Sequence, residues 1–279
     1  MNVRVVTDSA SDLTDEEASA LGITIVPLSI RFGDEELVDR IELGADEFYA
    51  RMAASDEVPG TAAPAPGAFK VAFENCFEAG ANTVVCVNLS SGVSATLEAA
   101  EIGARELGDR DIRIIDSRSV TGGLGTMVLA AGRTASNGAS ADEVVSVVEG
   151  LKQRTHVYAA LDTLENLKKG GRIGNAQALL GNMLSIKPII DFSSGVVEEA
   201  AKLRTRSKSL VWLRDKLAEH GDRVENLSVM HAQAEDIEDF LELVAAIIDP
   251  STTRVGSLGP VVASHAGPGV IGMCFTLGD

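Results

Sequence analysis

The sequence predicts an α/β protein of two α/β domains, with a mainly parallel sheet in the N-terminal domain. Three features of the chain favour this fold. The 279 residues are 45% hydrophobic but only 4% aromatic, which is typical of an aliphatic α/β core. Strand-like apolar runs alternate with helical patterns, as in a parallel sheet covered on both faces. The length also exceeds a usual domain of about 100 to 150 residues, so two cores are expected.

The N-terminal domain is expected to contain four strands separated by helices. Two capping-box spacings, Thr14-x-x-Glu17 and Ser140-x-x-Glu143, mark helix starts. Residues 59–67 hold three prolines and two glycines, which predicts a shaped loop and not a helix. The strand-like runs are Val3–Val6, Ile23–Ile30, Thr83–Val87 and Ile112–Ile115.

A second series of strands and helices follows, and it places the domain boundary near Gln153. We therefore predict domains at residues 1–153 and 154–279. The chain shows no internal repeat or long linker, so the domains are expected to pack closely and to hold a ligand in the cleft between them. The strand-like runs of the second domain are His156–Leu161, Ile186–Phe192, Leu227–His231 and Val270–Thr276.

The formal net charge of −17 limits the partners of this protein. Such a charge repels nucleic-acid phosphates and anionic membrane surfaces, and no basic stretch is long enough to overcome it, so no nucleic acid is expected as a partner. The three cysteines lack metal-site spacing, no apolar run approaches about 18 residues, and the first residues resemble a strand instead of a signal peptide. These features predict a cytoplasmic protein that needs neither metal nor cofactor.

Polar turns follow three of the predicted N-terminal strands, at residues 7–12, 88–96 and 116–119. Because ligands of open α/β sheets gather beyond the carboxyl ends of the strands, we expect these turns to converge. Segment 88–96 is the most informative, since a strand there ends in serines, a threonine and a glycine just before a helix. Its backbone N–H groups and hydroxyls would hold a carboxylate or phosphate. It has no lysine, so a compact anion suits it better than a triphosphate.

The candidate binding residues have simple structural alternatives. Ser90, Ser91, Ser94 and Thr96 would equally serve as helix caps. His265, in a loop rich in glycine and proline, would equally bond a neighbouring carbonyl. Both interpretations stay open from these residues alone.

Two further kinds of site use overlapping residues. A serine hydrolase would pair Ser94 or Ser91 with His265 and with Asp8 or Asp116, but the chain lacks a Gly-x-Ser-x-Gly elbow.

A hard-metal site would use Asp8, Asp12 and Asp116, yet these lie in separate loops or beside helix starts, where aspartate is common.

The run Gly122-Gly123-Leu124-Gly125 lacks dinucleotide-loop spacing and predicts helix packing.

Eight short motifs follow one another along nearly the whole chain. They are Thr7-Asp8-Ser9-x-x-Asp12, Thr61-x-x-Pro64-x-x-x-x-Phe69, Leu89-Ser90-Ser91-x-x-Ser94-x-Thr96, Asp116-Ser117-Arg118, Gly170-Gly171-Arg172-Ile173, Lys187-Pro188-Ile189, Arg204-Thr205-Arg206 and His265-x-Gly267-Pro268-Gly269. Each motif is weak alone, but in this order and spacing the set resembles the DegV family.

The resemblance implies two α/β domains with a long-chain fatty acid between them, its carboxylate at the polar loops and its acyl chain in an apolar tunnel. It also implies a non-catalytic protein that presents the acid to a separate ATP-dependent fatty acid kinase, which forms an acyl phosphate. Transient membrane contact is compatible with such a ligand. The alternatives are a hydrolase or kinase-like enzyme that uses Ser94 and His265 on a small anionic substrate, and a regulator or scaffold without ligand.

The resemblance also assigns roles to individual residues. Thr61, Ser94 and His265 match the family's carboxylate-binding residues, and a protonated His265 would offset the charge of an acyl phosphate. Arg172 and Arg204 match positions that present positive charge to the kinase, although an exposed arginine is the default interpretation. The predicted ligand-binding set is Thr61, Ser94, His265, Ser91, Thr96 and Ser9.

This chain departs from the family pattern in the two head-group motifs. The family's Thr-Ser-x-Pro-Ser is Thr61-Ala62-Ala63-Pro64-Ala65 here, and its Ser-Gly-Thr is Ser94-Ala95-Thr96. Two hydroxyls and one glycine are therefore missing. Each lost hydrogen bond is worth about 0.5 to 1.5 kcal/mol, which would weaken the head-group site or change which acid fits.

Overall fold

The computed structural model describes residues 2–55, 57–178 and 186–278. Up to residue 152 these ranges contain seven strands and six α-helices, which are β1 (Val3–Asp8), α1 (Asp15–Ala20), β2 (Thr24–Val26), β3 (Ser29–Phe32), β4 (Glu35–Val38), α2 (Ala45–Ala53), β5 (Gly60–Ala62), α3 (Pro66–Glu78), β6 (Thr83–Asn88), α4 (Thr96–Arg105), β7 (Ile112–Asp116), α5 (Thr121–Ser136) and α6 (Ala141–Lys152). The described residues beyond contain β8 (Thr155–Ala160), α7 (Glu165–Lys169), β9 (Lys187–Asp191), β10 (Glu198–Leu203), α8 (Arg206–Ala218), β11 (Val224–His231), α9 (Ile237–Ala245), β12 (Arg254–Ser257), α10 (Pro260–Ala266) and β13 (Ile271–Leu277).

The N-terminal part is built on a four-stranded sheet with the order β2-β1-β6-β7. All three strand pairs are parallel, which confirms the predicted parallel sheet. Every residue of β6 is buried. A strand buried on both faces needs a continuous apolar sequence, and this is why β6 was recognisable as an unbroken run of valines and a cysteine.

The later part of the chain forms a six-stranded sheet with the order β10-β9-β8-β13-β11-β12. Its neighbouring strands are antiparallel except for the pair β11 and β12. The strands of the parallel sheet all precede Gln153, and those of the six-stranded sheet all follow it. The division into domains after Gln153 stays a prediction.

A third, antiparallel sheet of order β4-β3-β5 corrects two expectations. The run Ile23–Ile30 is not one strand, because Pro27, which has no N–H group to donate, separates β2 from β3. Residues 59–67 are not all loop either. Residues 60–62 form β5 against β3, and Pro66 begins α3, a position at which its missing N–H costs nothing.

Side-chain caps begin two of the helices as expected. The Thr14 hydroxyl accepts from Glu17 N at 3.1 Å, and the Glu17 carboxylate accepts from Thr14 N at 2.9 Å. Ser140 and Glu143 form the same reciprocal pair at the start of α6. Both predicted capping boxes are thus confirmed.

Glycines let α5 lie unusually close to its neighbours. A Cβ at Gly122 would lie 2.9 Å from the Ser228 Cβ on the six-stranded sheet, and a Cβ at Gly125 would lie 2.7 Å from the Ser11 carbonyl oxygen after β1. The predicted packing role of this run is confirmed. Helix α5 therefore lies between the two large sheets and fixes their separation. In the part of the chain that the structure describes, no helix has the length and hydrophobicity that a membrane crossing requires.

We expect Gly103→Ala to destabilise the fold by about 1 to 3 kcal/mol, because overpacking forces backbone to move. A Cβ at Gly103 in α4 would lie 2.6 Å from the Pro66 carbonyl oxygen and 3.0 Å from Lys70 N, both backbone atoms of α3. The measurement is urea unfolding.

The matched control is Gly150→Ala in α6, where a Cβ meets nothing within 4 Å. Alanine at that position should raise the free energy of unfolding by up to about 1 kcal/mol. Equal effects of the two substitutions would contradict the close approach of α3 and α4.

Candidate functional site

A cavity of about 180 Å³ lies where the parallel and six-stranded sheets face each other. Its floor is the inner face of the six-stranded sheet. It is lined by Gly272 and Cys274 of β13, by Val270 just before that strand, and by Val157 and Ala159 of β8. Its lining is mostly apolar, and Thr61, Ser94, Arg172 and His265 stand out as polar residues in it.

The carboxylate of Asp8, at the end of β1, holds the loops beside this cavity. It accepts hydrogen bonds from Leu89 N at 2.8 Å, from Asn88 Nδ2 at 3.0 Å and from Ala10 N at 3.1 Å. Burial raises the pKa of Asp8 to about 6, although these three bonds oppose the rise. All three partners belong to the chain itself, so Asp8 has a structural role in the loops.

The three polar turns converge as predicted. Ser90 N donates to the Ser119 carbonyl at 2.9 Å, and the Ser91 hydroxyl donates to Asp116. The Ser90 hydroxyl donates to the Gly195 carbonyl at 2.6 Å, which ties this cluster to the turn between β9 and β10. Ser91 is exposed and is not part of the cavity lining.

Ser94 lies in the cavity wall just before α4. Its hydroxyl is 2.9 Å from the Thr96 hydroxyl and accepts from Thr96 N at 3.3 Å. Ser94 therefore bonds within its own turn, while the N-cap of α4 is Ala95, which provides no side-chain cap. The binding role of Ser94 stays a prediction. Thr96 is fully buried behind Ser94 and does not line the cavity. Among the described residues, no acceptor faces the backbone N–H groups of Ser94 and Ala95.

Thr61 on β5 and His265 on α10 meet across 204 positions of sequence. The Thr61 hydroxyl lies 2.8 Å from His265 Nε2. His265 Nδ1 is hidden from solvent and has no hydrogen-bond partner among the described residues. It packs against Gly170, where a Cβ would lie 2.3 Å away. Gly170 thus needs to lack a side chain so that the ring can occupy this place.

This arrangement does not form a hydrolase triad. A triad needs a carboxylate at the histidine nitrogen that faces away from the nucleophile. In the described chain His265 Nδ1 has no such partner, Asp8 is bonded to the loop at Leu89, and Asp116 is bonded to Ser91. The same ranges contain no group of three His, Cys, Asp or Glu side chains placed to hold a metal ion.

Burial, together with the positive charge of Arg172, lowers the pKa of His265 to about 4. His265 is therefore neutral at pH 7 in the ligand-free protein. Desolvation favours the uncharged ring in this state. The expectation of a protonated His265 concerns a bound acyl phosphate and stays a prediction.

Arg172 supplies the positive charge in the cavity wall. Its Nε donates to the Val93 carbonyl at 3.0 Å and its Nη1 to the Gly170 carbonyl at 2.8 Å. No acidic side chain pairs with it in the described ranges. A second, more polar depression adjoins the cavity at Val93, Ser94 and Arg172. Residues at the mouth of this depression include Gly92, Gly171 and Gly174.

The remaining predicted residues lie elsewhere. Ser9 is buried outside the cavity lining, and its hydroxyl accepts from Leu28 N at 3.1 Å. Arg204 is exposed after β10 and forms no ion pair with a described residue. Of the family departures, Ala95 lines the cavity, whereas Ala65 is the residue before α3 and lacks a side-chain cap.

Sequence reasoning missed the strand residues of the cavity floor and the inward position of Arg172. The alternate positions of Gly272 and Cys274 along β13, continued back to Val270 just before the strand, were the available signal, since such residues share one face of a strand. Arg172 gave no comparable signal, because its position depends on a carbonyl at Val93 that is distant in sequence.

The comparisons with known proteins agree with this geometry. A family model described as "Uncharacterised protein, DegV family" matches residues 2–277. A DegV domain-containing protein of Deinococcus radiodurans is 34% identical over 99% of this chain and 98% of that protein. One from Streptomyces coelicolor is 33% identical over 98% of this chain and 97% of that protein.

Solved structures with the same fold include fatty-acid-binding proteins. A fatty-acid-binding DegV family protein from Thermus thermophilus has a TM-score of 0.90 and 30% identity, and the match covers 99% of this chain and 100% of that one. DegV from Bacillus subtilis, a fatty acid binding protein, has a TM-score of 0.85 and 28% identity, with 99% of each chain covered. A stearic-acid-binding protein from Eubacterium ventriosum has a TM-score of 0.86 and 26% identity over 98% of this chain and 97% of that one.

We expect His265 to stay neutral down to a pH of about 4 when its ring is followed by NMR titration. Removal of the nearby cation in Arg172→Gln should raise this pKa, although burial should still keep it below the usual value of about 6.5. Arg204→Gln is the matched control and should leave the titration unchanged. A midpoint near 6.5 in the unaltered protein would contradict the buried position of the ring.

Proposed function

We propose that this chain, which belongs to the DegV family, binds a long-chain fatty acid in the cavity between its two large sheets. The observation that carries the proposal is the composition of the cavity wall. An apolar floor of strand residues adjoins polar side chains that include those of Thr61, Ser94, Arg172 and His265. A fatty acid needs this combination, because its chain avoids water while its carboxylate requires hydrogen-bond donors.

The hydrogen bond between Thr61 and His265 suggests how the carboxylate is bound. A buried N–H group without an acceptor is more costly than an unused lone pair, so the proton of neutral His265 belongs on Nε2, not on the unpartnered Nδ1. Nε2 then donates to the Thr61 oxygen. The Thr61 hydroxyl proton is left free to donate to the carboxylate, beside the Ser94 hydroxyl.

Arg172 is proposed to compensate the charge of the carboxylate. Its Nε and Nη1 are bonded to backbone carbonyls, which fixes the plane of the guanidinium. With no acidic partner in the described chain, its charge is available to a ligand in this wall. Charge-assisted hydrogen bonds of this kind contribute about 1.5 to 3 kcal/mol, more than bonds between neutral groups. We therefore extend the predicted head-group set by Arg172.

The remaining predicted residues are proposed to support this site from behind. Thr96 orients the Ser94 hydroxyl at 2.9 Å, Ser91 anchors the loop through Asp116, and Ser9 fixes the backbone at Leu28. The acyl chain would lie on the sheet floor, where each buried methylene contributes about 0.8 kcal/mol. Chain length and unsaturation depend on the shape of that floor.

We further propose that the bound acid is presented to a separate ATP-dependent fatty acid kinase. The polar depression beside the cavity reaches Ser94 and Arg172 from outside, which would let a phosphoryl donor approach the carboxylate. Arg204 is exposed and suits contact with an acidic partner surface. The chain has no phosphate-binding lysine loop, so the nucleotide is assigned to the partner. On this proposal the protein is the non-catalytic subunit of the kinase system.

Removal of single head-group hydroxyls should weaken fatty acid binding by about 0.5 to 1.5 kcal/mol each, or roughly two- to tenfold in Kd. The variants are Ser94→Ala and Thr61→Val, and the measurement is calorimetry with oleate after extraction of co-purified lipid. Ser136→Ala is the control, because this exposed hydroxyl bonds to the Arg133 carbonyl and does not line the cavity. If native mass spectrometry finds no co-purified acid and calorimetry finds no uptake, the binding proposal fails.

Charge reversal at Arg204 should separate ligand binding from presentation. We expect Arg204→Glu to lower the rate of acyl phosphate formation with the partner kinase while the Kd for oleate stays unchanged. Arg172→Gln should impair both, because Arg172 lies in the cavity wall. An unchanged rate with Arg204→Glu would remove this residue from the proposed partner surface.

A further inference from the structure

The helix that carries His265 is held at its beginning by Asp12. Helix α10 starts after Gly259, whose backbone N–H donates to Asp12 Oδ1 at 3.1 Å. The contact is so close that a Cβ at Gly259 would lie 2.6 Å from the same oxygen. Asp12 follows β1 and Gly259 follows β12, so this bond joins the N-terminal part of the chain to the six-stranded sheet.

Two further bonds hold the same junction. The Tyr49 hydroxyl donates to the Leu258 carbonyl at 2.7 Å. Arg254 donates to the Asp12 carbonyl at 2.8 Å and forms an ion pair with Glu17 at 2.7 Å. Leu258 and α10 residues such as Val261, Val262 and His265 line the cavity. The junction therefore fixes one wall of the cavity, so loosening the junction would widen the space around a ligand there.

We propose that Asp12 is a positioning residue for this wall, and that ionisation of its carboxyl group loosens α10 and accelerates ligand exchange. The inference about the helix stands on the contacts of the chain itself. Its consequence for ligand exchange rests on the proposed function. The carboxylate has one oxygen bonded to Gly259, while the other, Oδ2, is hidden from solvent, and the Thr121 hydroxyl offsets only part of the cost of a charge there. A negative charge in this place lacks the compensation that water would give it.

The surroundings of Asp12 favour the protonated form of its carboxyl group below about pH 7. Burial is the largest cause of the shift and raises the pKa of Asp12 to about 7. The Thr121 hydroxyl has the next largest effect and lowers the pKa, while the nearby carboxylate of Asp39 raises it. Arg254 and the Gly259 amide also oppose the rise. Asp39 is itself buried, has one unpartnered oxygen, and has its pKa raised to about 6 by burial.

Other titratable groups also face this junction. Tyr49 and Cys274 have pKa values raised by burial and stay neutral below pH 8. The hydrogen bond with Arg254 is the main cause that lowers the pKa of Glu17. Glu17 therefore stays charged at every pH above the usual pKa of a glutamate. His231 is the last residue of β11, and its carbonyl accepts from Leu258 N at 2.8 Å. Burial lowers the pKa of its side chain.

The direction of the pH effect follows from the raised pKa. In the closed junction Asp12 holds its proton up to about pH 7, whereas in an opened, hydrated junction it would lose the proton near the ordinary pKa of about 3.9. Opening therefore releases a proton between these values. The opening equilibrium constant should rise by about tenfold per pH unit from pH 5 to 7 and level off above.

The test is amide hydrogen exchange of Gly259, followed by NMR from pH 5 to 8 and corrected for the intrinsic exchange rate. In the unaltered protein, protection should fall by about tenfold per pH unit up to pH 7. Asp12→Asn keeps an oxygen acceptor for Gly259 N and should abolish this slope. Asp39→Asn removes the neighbouring charge. Protection of Gly259 should still fall with pH in this variant, but it should stop falling at a lower pH than in the unaltered protein.

The Asp12→Asn variant retains Asp8, Asp39 and His231, so a slope that survives in it would belong to those groups and would overturn the proposal. Asp8→Asn is a matched control, because Asp8 is buried with a similarly raised pKa but bonds to the loop at Leu89. It should leave the slope at Gly259 unchanged.

The same variants then report on ligand exchange. Release of cis-parinaric acid, a fluorescent 18-carbon acid, should accelerate from pH 5 to 7 in the unaltered protein but not in Asp12→Asn. If the protein does not bind this acid, the proposed function fails while the Gly259 measurement still decides the role of Asp12. A flat Gly259 profile in the unaltered protein would refute that role even if the acid binds.

Discussion

The polar side of the cavity depends on one buried carboxylate, that of Asp8. Its oxygens accept from the backbone or side chains of three residues in the turns after β1 and β6, and this fixes where both turns leave the parallel sheet. From there the Ser90 hydroxyl reaches the Gly195 carbonyl on the other side of the cavity. Ser94 and the start of α4 therefore have a defined position relative to the six-stranded sheet. The carboxylate compensates its desolvation by these bonds and so serves as an anchor of the fold.

The two sides of the cavity follow from different physical rules. Its floor is apolar because alternate residues of β8 and β13 face away from solvent, as the period of a strand requires. Its polar side is formed by loops and helix ends, where backbone groups lack partners within secondary structure. Arg172 belongs to this polar side, since its guanidinium donates to the backbone carbonyls of Val93 and Gly170. The protein thereby places one positive charge in a wall of a strongly acidic molecule.

Much of the fold could be predicted from the pattern of apolar residues along the chain. The strands that could not be predicted in this way are exposed, charged or very short. The central strands of the parallel sheet, β1 and β6, were recognisable because burial makes them nearly continuous apolar runs. The strands β4, β10 and β12 carry charged or exposed residues, and β5 has three residues, so none gave an apolar run. Pro27 could have divided the run Ile23–Ile30, because it cannot donate to a ladder.

The site was less accessible to sequence reasoning than the fold. The polar turns were predictable because carboxyl ends of parallel strands share one edge of a sheet. The pairing of Thr61 with His265 joins residues 204 positions apart and follows from no spacing, so only the family resemblance indicated it. The neutral state of His265 and the inward position of Arg172 depend on burial and tertiary contacts, which a sequence does not display.

The absence of a side chain at Gly170 has a thermodynamic consequence. Because the His265 ring fills the space that a Cβ would occupy, it has little freedom to flip or change rotamer before a ligand arrives. Ordering a mobile side chain on binding usually costs about 0.5 to 1.5 kcal/mol. The His265 ring is already ordered in the folded, ligand-free protein. Ligand binding therefore does not have to order this ring or the hydrogen bond between Thr61 and His265.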